Sequence, residues 1–411
     1  MRPSSRKIPA TGVLLERLAA SSLFEGVGLA DLGVILARCP VQRFRAGEVA
    51  LAPGDSNRFL HVVLAGEFHI KREVDAARSL GSVGAGECFG EMSVLDGKEV
   101  SAVVVAARDA EALSIPEQVV WSDLLALPGV ARNLMRIMSA RMRSSIAAQH
   151  AIDDMLKELR LARDIQASML PRGDPLFPDH EELDGCARMD PAAEVGGDFF
   201  DAFFIDDHRA FFSVGDVAGK GVAAALFMAR SMTLLRQHAL RRVSPRDVLS
   251  RVNNALAVGN DSATFVAAFC AQLDTRTGDL RYANGGGGAP LVRRSGRWER
   301  LPLPKGLVVG AIEGFAYEAG RTRLAAGDTL LVFTDGVTEA ANEQGELFSE
   351  RRLRALLDTT PALPAADLVG TVREEVRRFV GSSLPSDDLT LMAVRYEGPQ
   401  SERGTLQTPS S

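Results

Sequence analysis

Four aspartates carry the chemistry that can be read in this chain. Asp198 follows Val195-Gly196-Gly197 and precedes Phe199-Phe200-Asp201, and Asp216 ends the run Ser213-Val214-Gly215. Asp335 ends Leu330-Leu331-Val332-Phe333-Thr334, and Asp388 stands in Ser386-Asp387-Asp388-Leu389-Thr390-Leu391. Each lies at an end of an apolar, strand-like run. Carboxylates gathered in one place repel one another unless a bound cation or a raised pKa relieves them. Oxygen donors without His or Cys suit magnesium or manganese rather than zinc. One Asp-Gly after a strand, taken alone, is a turn. Four acidic strand ends in one stretch of chain argue for a metal centre.

The elements that must position these acids follow from period and punctuation. Residues 221–240 read as a helix, and Ser244-Pro245 opens another with an N-cap followed by proline at the first helical position. Residues 263–273 and 280–284 read as paired strands across the turn at 274–279. Ser349 opens a helix, residues 365–380 form one more, and residues 389–396 form a last strand. Gly215 to Lys220 is not a Walker loop, because three residues rather than four precede Gly-Lys and Gly221 follows it. Gly285-Gly286-Gly287-Gly288 runs into Ala289-Pro290 rather than a helix, so it is not a dinucleotide fingerprint.

At these residues the chain resembles a known family. Ala193-Glu194-Val195-Gly196-Gly197-Asp198-Phe199, Gly215-Asp216-Val217-Ala218-Gly219-Lys220-Gly221, Phe333-Thr334-Asp335-Gly336-Val337-Thr338-Glu339-Ala340 and Asp387-Asp388-Leu389-Thr390-Leu391 are similar to the ordered motifs of the type 2C (PPM) metal-dependent protein phosphatases, in their bacterial sporulation and stress-response (SpoIIE/RsbU-like) branch. Arg163-Asp164-Ile165-Gln166-Ala167-Ser168-Met169-Leu170-Pro171 resembles that branch's lead-in helix. The resemblance implies an α/β/β/α sandwich with two antiparallel sheets and two Mn²⁺ or Mg²⁺ ions. By that resemblance Asp216 would bridge them, Asp335 and Asp388 would complete one, and Asp198 with the Val217 carbonyl would serve the other. It implies a protein-serine/threonine phosphatase, a phosphoric monoester hydrolase, with Asp216, Asp335 and Asp388 as catalytic residues. The implied partner is a phosphoserine or phosphothreonine protein, an anti-sigma-factor antagonist. The alternative is a catalytically silent phosphatase-fold binding module in a sigma-factor partner switch. One departure stands out: the branch carries a histidine and an asparagine in the loop matching Gly286 to Ala289, where this chain has no such side chain. Lys220 reads as solvated near a helix start rather than catalytic, with phosphate steering as the alternative.

Upstream, residues 41–127 alternate short β-like runs with glycine turns, which suits a jelly roll. Residues 14–127 resemble the cyclic-nucleotide-binding domain of catabolite-activator-like regulators. In that family the segment matching Phe89-Gly90-Glu91 through Ser101-Ala102 binds the cyclic phosphate, so Glu91 and Ser101 are the candidate ligand residues. Val100 stands where that family has an arginine. An isopropyl group donates nothing to phosphate, so tight cyclic-nucleotide binding is not expected.

The expected organisation is a jelly-roll sensor with flanking helices at 13–127, a helical linker at 128–170, a phosphatase domain at 171–396 and a disordered tail at 397–411. In the linker, Ile152, Leu156 and Leu159 keep heptad-like spacing, which fits a homodimer through this helix as well as it fits an ordinary amphipathic helix. With 47 Lys and Arg against 53 Asp and Glu in 411 residues, there is no electrostatic case for nucleic acid. No run approaches a membrane span, and Cys39, Cys88, Cys186 and Cys270 read as free thiols, so the cytoplasm is expected and no membrane partner.

Overall fold

The computed structural model describes residues 5–6, 12–73 and 79–399; residues 400–411, most of the tail read as disordered, lie outside the described residues. The chain divides into two compact units, Met1–Ile152 and Asp153–Ser411.

The first unit packs two antiparallel sheets. One has the order Ser5–Arg6, Val41–Phe44, Ala110–Pro116, Phe59–Ala65, Cys88–Phe89; the other is Val49–Leu51, Val103–Ala106, Glu67–Lys71, Gly81–Gly84. Phe44, Val63, Phe68, Phe89, Val100 and Val104 fill the space around them. The tight turn at Gly66 needs glycine twice over: its φ is +87°, and a Cβ there would lie 2.5 Å from the Ala110 Cβ. A second cluster joins Leu18, Leu32 and Leu36 of the leading helices to Val130 and Leu134.

Those last two residues begin a single helix of 42 residues, Pro128–Met169. The division between units falls inside this helix rather than at either end of it. Asn133 anchors its start by donating to the carbonyls of Leu23 (3.1 Å) and Glu25 (2.8 Å). Further along, Met142, Ile146, Ile152 and Met155 are all exposed.

The second unit is a four-layered α/β/β/α sandwich. One sheet has the order Leu183–Asp190, Leu389–Tyr396, Thr329–Phe333, Leu291–Arg294, Arg297–Arg300. The other is Phe199–Asp206, Arg209–Val217, Val266–Asp274, Asp279–Gly285, Gly320–Arg323. Every pairing is antiparallel. Between the sheets lie Phe212, Val214, Leu330, Val332, Met392 and Val394. Their sequence neighbours Phe211, Leu331 and Ala393 point outward under helices. Both faces of these strands are buried, which is why they read as unbroken apolar runs instead of alternating ones.

Helices Val222–Ala239 and Pro245–Ala257 cover one sheet, Ser349–Thr359 and Ala365–Val380 the other. Ser244 caps its helix as its sequence suggests, accepting from the Asp247 amide at 3.4 Å. Among the described residues no helix is long and apolar enough to cross a membrane.

Candidate active site

Strand register brings the acids together. In the hairpin of Phe199–Asp206 and Arg209–Val217, Phe199 pairs with Gly215, so Asp198 falls opposite Asp216. In the other sheet Phe333 pairs with Leu391, which sets Thr334 against Thr390 and delivers Asp335 and the Asp387-Asp388 pair to one end. The two threonines bridge the sheets: their hydroxyls both donate to Asp198 Oδ2, at 2.8 Å from Thr334 and 2.6 Å from Thr390. Asp198 is fully buried. The Val217 carbonyl lies close by, 2.8 Å from where a Cβ on Gly197 would sit.

The electrostatics are those of crowded carboxylates. Burial, then the charge of Asp216, holds the Asp198 carboxyl well above the usual range, against the two threonine hydroxyls that favour its ionised form. Burial, then the charge of Asp335, pushes Asp216 up to about 6, and its hydrogen bond with Asp198 works the other way. Asp335 is raised by burial and then by Asp387. Among the described residues no three acid, His or Cys side chains converge as a closed ion cage. Crowding raises the proton affinity of these acids, and the all-oxygen donor set is one that a hard divalent cation fits.

The two members of the last acidic pair make different contacts. Asp388, read as a metal ligand, turns both oxygens to the glycine loop: Oδ1 accepts from Ala192 N (2.8 Å), and Oδ2 from Gly197 N (2.7 Å) and Asp198 N (3.4 Å). Three backbone donors occupy most of its lone pairs. Asp387 is the more exposed of the two and faces Lys220 Nζ at 3.6 Å. Lys220 is thus not simply solvated, since its ammonium also donates to the Ser386 carbonyl.

Glycines make these approaches possible. A Cβ on Gly196 would sit 2.3 Å from Asp388 Oδ2, and one on Gly336 only 1.8 Å from the Asp388 carbonyl oxygen. Gly286, Gly287 and Gly288 line a cavity of about 70 Å³ together with Asp216, Thr334 and Asp335. That loop packs against the segment at 308–309: Cβ atoms on Gly285 and Gly286 would lie 2.6 Å from a methyl of Val309 and of Val308, respectively.

Sequence reading missed Thr334 and Thr390 as carboxylate partners and Gln166 as a clamp. The Gln166 amide, buried, donates to Gly196 O at 2.6 Å and accepts from Gly196 N at 3.1 Å, gripping the backbone two residues before Asp198. A signal existed. Gln166 stands at helical spacing with Leu159, Ala162 and Met169, a polar residue on an apolar stripe.

In the first unit, Glu91 and Ser101 line a cavity of about 330 Å³ with Lys98, Val100 and Arg141. Glu91, expected to meet a ligand, is buried and ion-paired with Arg141, which also donates to the Cys88 carbonyl at 2.5 Å. Val100 packs into the core, so nothing at that position replaces the missing guanidinium.

Residues 206–397 match the family described as Stage II sporulation protein E (SpoIIE), a span that takes in Asp216, Val217, Asp335, Asp387 and Asp388 but begins after Asp198. Residues 41–124 match the cyclic nucleotide-binding domain. The second unit carries a SpoIIE-type PP2C phosphatase domain. The SiaA-PP2C domain of Pseudomonas aeruginosa superposes with a TM-score of 0.53 at 26% identity, covering 61% of this chain and 99% of that one. Protein IcfG of Synechocystis sp. is 27% identical over 65% of this chain and 46% of its own length. Phosphoserine phosphatase RsbU of Bacillus subtilis is 27% identical over 59% of this chain and 71% of its own. The chain spans under half the length of IcfG.

Proposed function

We propose that the protein is a manganese- or magnesium-dependent serine/threonine protein phosphatase of the cytoplasm, acting on a phosphorylated regulatory protein, an anti-sigma-factor antagonist, under control of its first unit. The observation that carries this reading is the meeting of Asp198 and Asp216 at paired strand ends, beside Asp335. Asp216, Asp335 and the Val217 carbonyl would hold the ions together with Asp198. Asp387 joins this set on our reading, with Asp388 holding the glycine loop and Gln166 fixing its backbone. Two such ions, when bound, would supply a nucleophilic water near neutral pH and offset charge on the phosphoryl oxygens. The threonine hydroxyls orient Asp198, and the glycine wall of the cavity leaves room for a phosphoryl group. The retention of every acid favours an enzyme over a silent binding module. The deciding experiment is manganese-dependent release of phosphate from a phosphoserine protein by the full chain; no release at saturating manganese would leave only the binding module.

For the first unit, Val100 and the Glu91–Arg141 pair together argue against a cyclic nucleotide. Calorimetry of cyclic AMP against the full chain is expected to show weak or no binding, with binding gained in Val100→Arg. Tight, saturable binding by the parent protein would contradict this.

A homodimer through the long helix is part of the same proposal, supported by the exposed Met142, Ile146, Ile152 and Met155. Ile152 is 54% exposed, so Ile152→Glu costs a monomer little but buries an unpaired charge in a seam. Sedimentation is expected to show a dimeric parent and a dissociated variant; a monomeric parent would end the proposal.

A further inference from the structure

Among the described residues, Lys220 is the cationic side chain that reaches the acid cluster. Its flanking residues explain how it gets there. Gly219 and Gly221 have φ of +103° and +78°, and open space surrounds both, so glycine serves backbone conformation here rather than packing. The turn they make directs the lysine across to the segment before Leu389, where its ammonium meets the Ser386 carbonyl and Asp387.

The surroundings make this cation conspicuous. The strongest charge effects on Asp198 and Asp216 come from other aspartates, whereas Asp335 also feels Lys220. The 70 Å³ cavity beside Asp216 and Asp335 has no basic residue in its lining, and its glycine wall offers no side-chain donor. A phosphomonoester dianion entering this cleft meets the carboxylates of Asp216 and Asp335. An ammonium on a flexible four-carbon stem is a point charge suited to following phosphoryl oxygens. Lys220 is well exposed, so it is free to swing.

We propose that Lys220 binds the phosphoryl group of the substrate, exchanging Asp387 for a phosphoryl oxygen as its ionic partner. This rests on the phosphatase reading and names the residue that recognises the group to be removed. No bond is made or broken in the exchange; one carboxylate–ammonium contact is replaced by one phosphoryl–ammonium contact. Asp387 parks the lysine beside the cleft when neither metal nor substrate is bound. A competing role for the pair is a structural tether between the turn at 218–221 and the segment at 384–388, and the two roles differ in what they predict.

The test uses the full chain loaded with manganese, its Lys220→Gln and Lys220→Arg variants, and two readouts. Calorimetry measures the affinity for inorganic phosphate and for manganese, and hydrolysis of p-nitrophenyl phosphate gives KM and kcat. Lys220→Gln is expected to weaken phosphate binding and raise KM by about tenfold or more, the effect of losing one charge-assisted hydrogen bond. It should leave manganese affinity unchanged or tighter, because a competing cation has gone. Lys220→Arg keeps the charge and should stay within about threefold of the parent. Unchanged phosphate affinity in Lys220→Gln overturns the assignment, as does a parallel fall in manganese affinity or in urea stability, which marks a tether. A parent that binds no phosphate also overturns it. A parent that binds phosphate through Lys220 but hydrolyses nothing would defeat the phosphatase reading and leave the anion site standing.

Discussion

Replacing Asp216 by asparagine is expected to lower manganese-dependent phosphate release by roughly a thousandfold or more, with the fold intact. The amide keeps the shape of the side chain and gives up its charge, at the residue that pairs with Asp198 and feels Asp335 most strongly. Removing one of several crowded carboxylates relieves repulsion, so thermal stability without metal should hold or rise. The same geometry sets a pH dependence. Asp216 is pushed up to about 6, so below that pH the folded chain holds a proton a cation must displace, and the manganese needed for half-maximal rate should climb as pH falls through 6. Phosphate release by the purified variant, with circular dichroism as a check on folding, decides the matter; activity within tenfold of the parent would remove Asp216 from the metal set.

Gly336→Ala is expected to be as damaging by a different route. Its Cβ would lie 1.8 Å from the carbonyl oxygen of Asp388 and 2.8 Å from the carbonyl carbon, both of them backbone atoms that cannot swing aside. The strand start that carries Asp387 and Asp388 has to move, so the variant should lose about 3 kcal/mol of stability or more and most of its activity. Gly370 supplies the control. It lies within helix Ala365–Val380 with nothing near its would-be Cβ, so Gly370→Ala should stabilise by roughly 0.5–1 kcal/mol. Urea unfolding of both variants tests the contact itself: similar midpoints for the two would mean that the close approach at Gly336 does not matter.

Much of this architecture was legible because it is local. The strand Leu389–Tyr396 and the helix Ala365–Val380 fall where apolar period and punctuation place them, and Ser244-Pro245 starts a helix for reasons held within four residues. The motif order likewise named the acids, since each is marked by its own strand, and Asp198, Asp216 and Asp335 by an adjacent glycine. A missing arginine at position 100 could be seen in the same way, as a residue type in a motif.

What the sequence did not contain is who stands opposite whom. Asp387 and Asp388 are neighbours of the same type, and only the approach of residues 192–198 gives one of them three backbone donors and leaves the other to Lys220. Gly336 looked like the second half of a turn, yet it is required by a carbonyl 52 residues later, a contact that no local rule encodes. The partner of Glu91 is Arg141, 50 positions away on a helix whose periodicity says nothing about guanidinium placement. The sequence by itself determined the elements and the chemical types at their ends. Tertiary structure decided the pairings, because hydrogen bonds and steric contacts act over a few ångströms in space while periodicity speaks only along the chain.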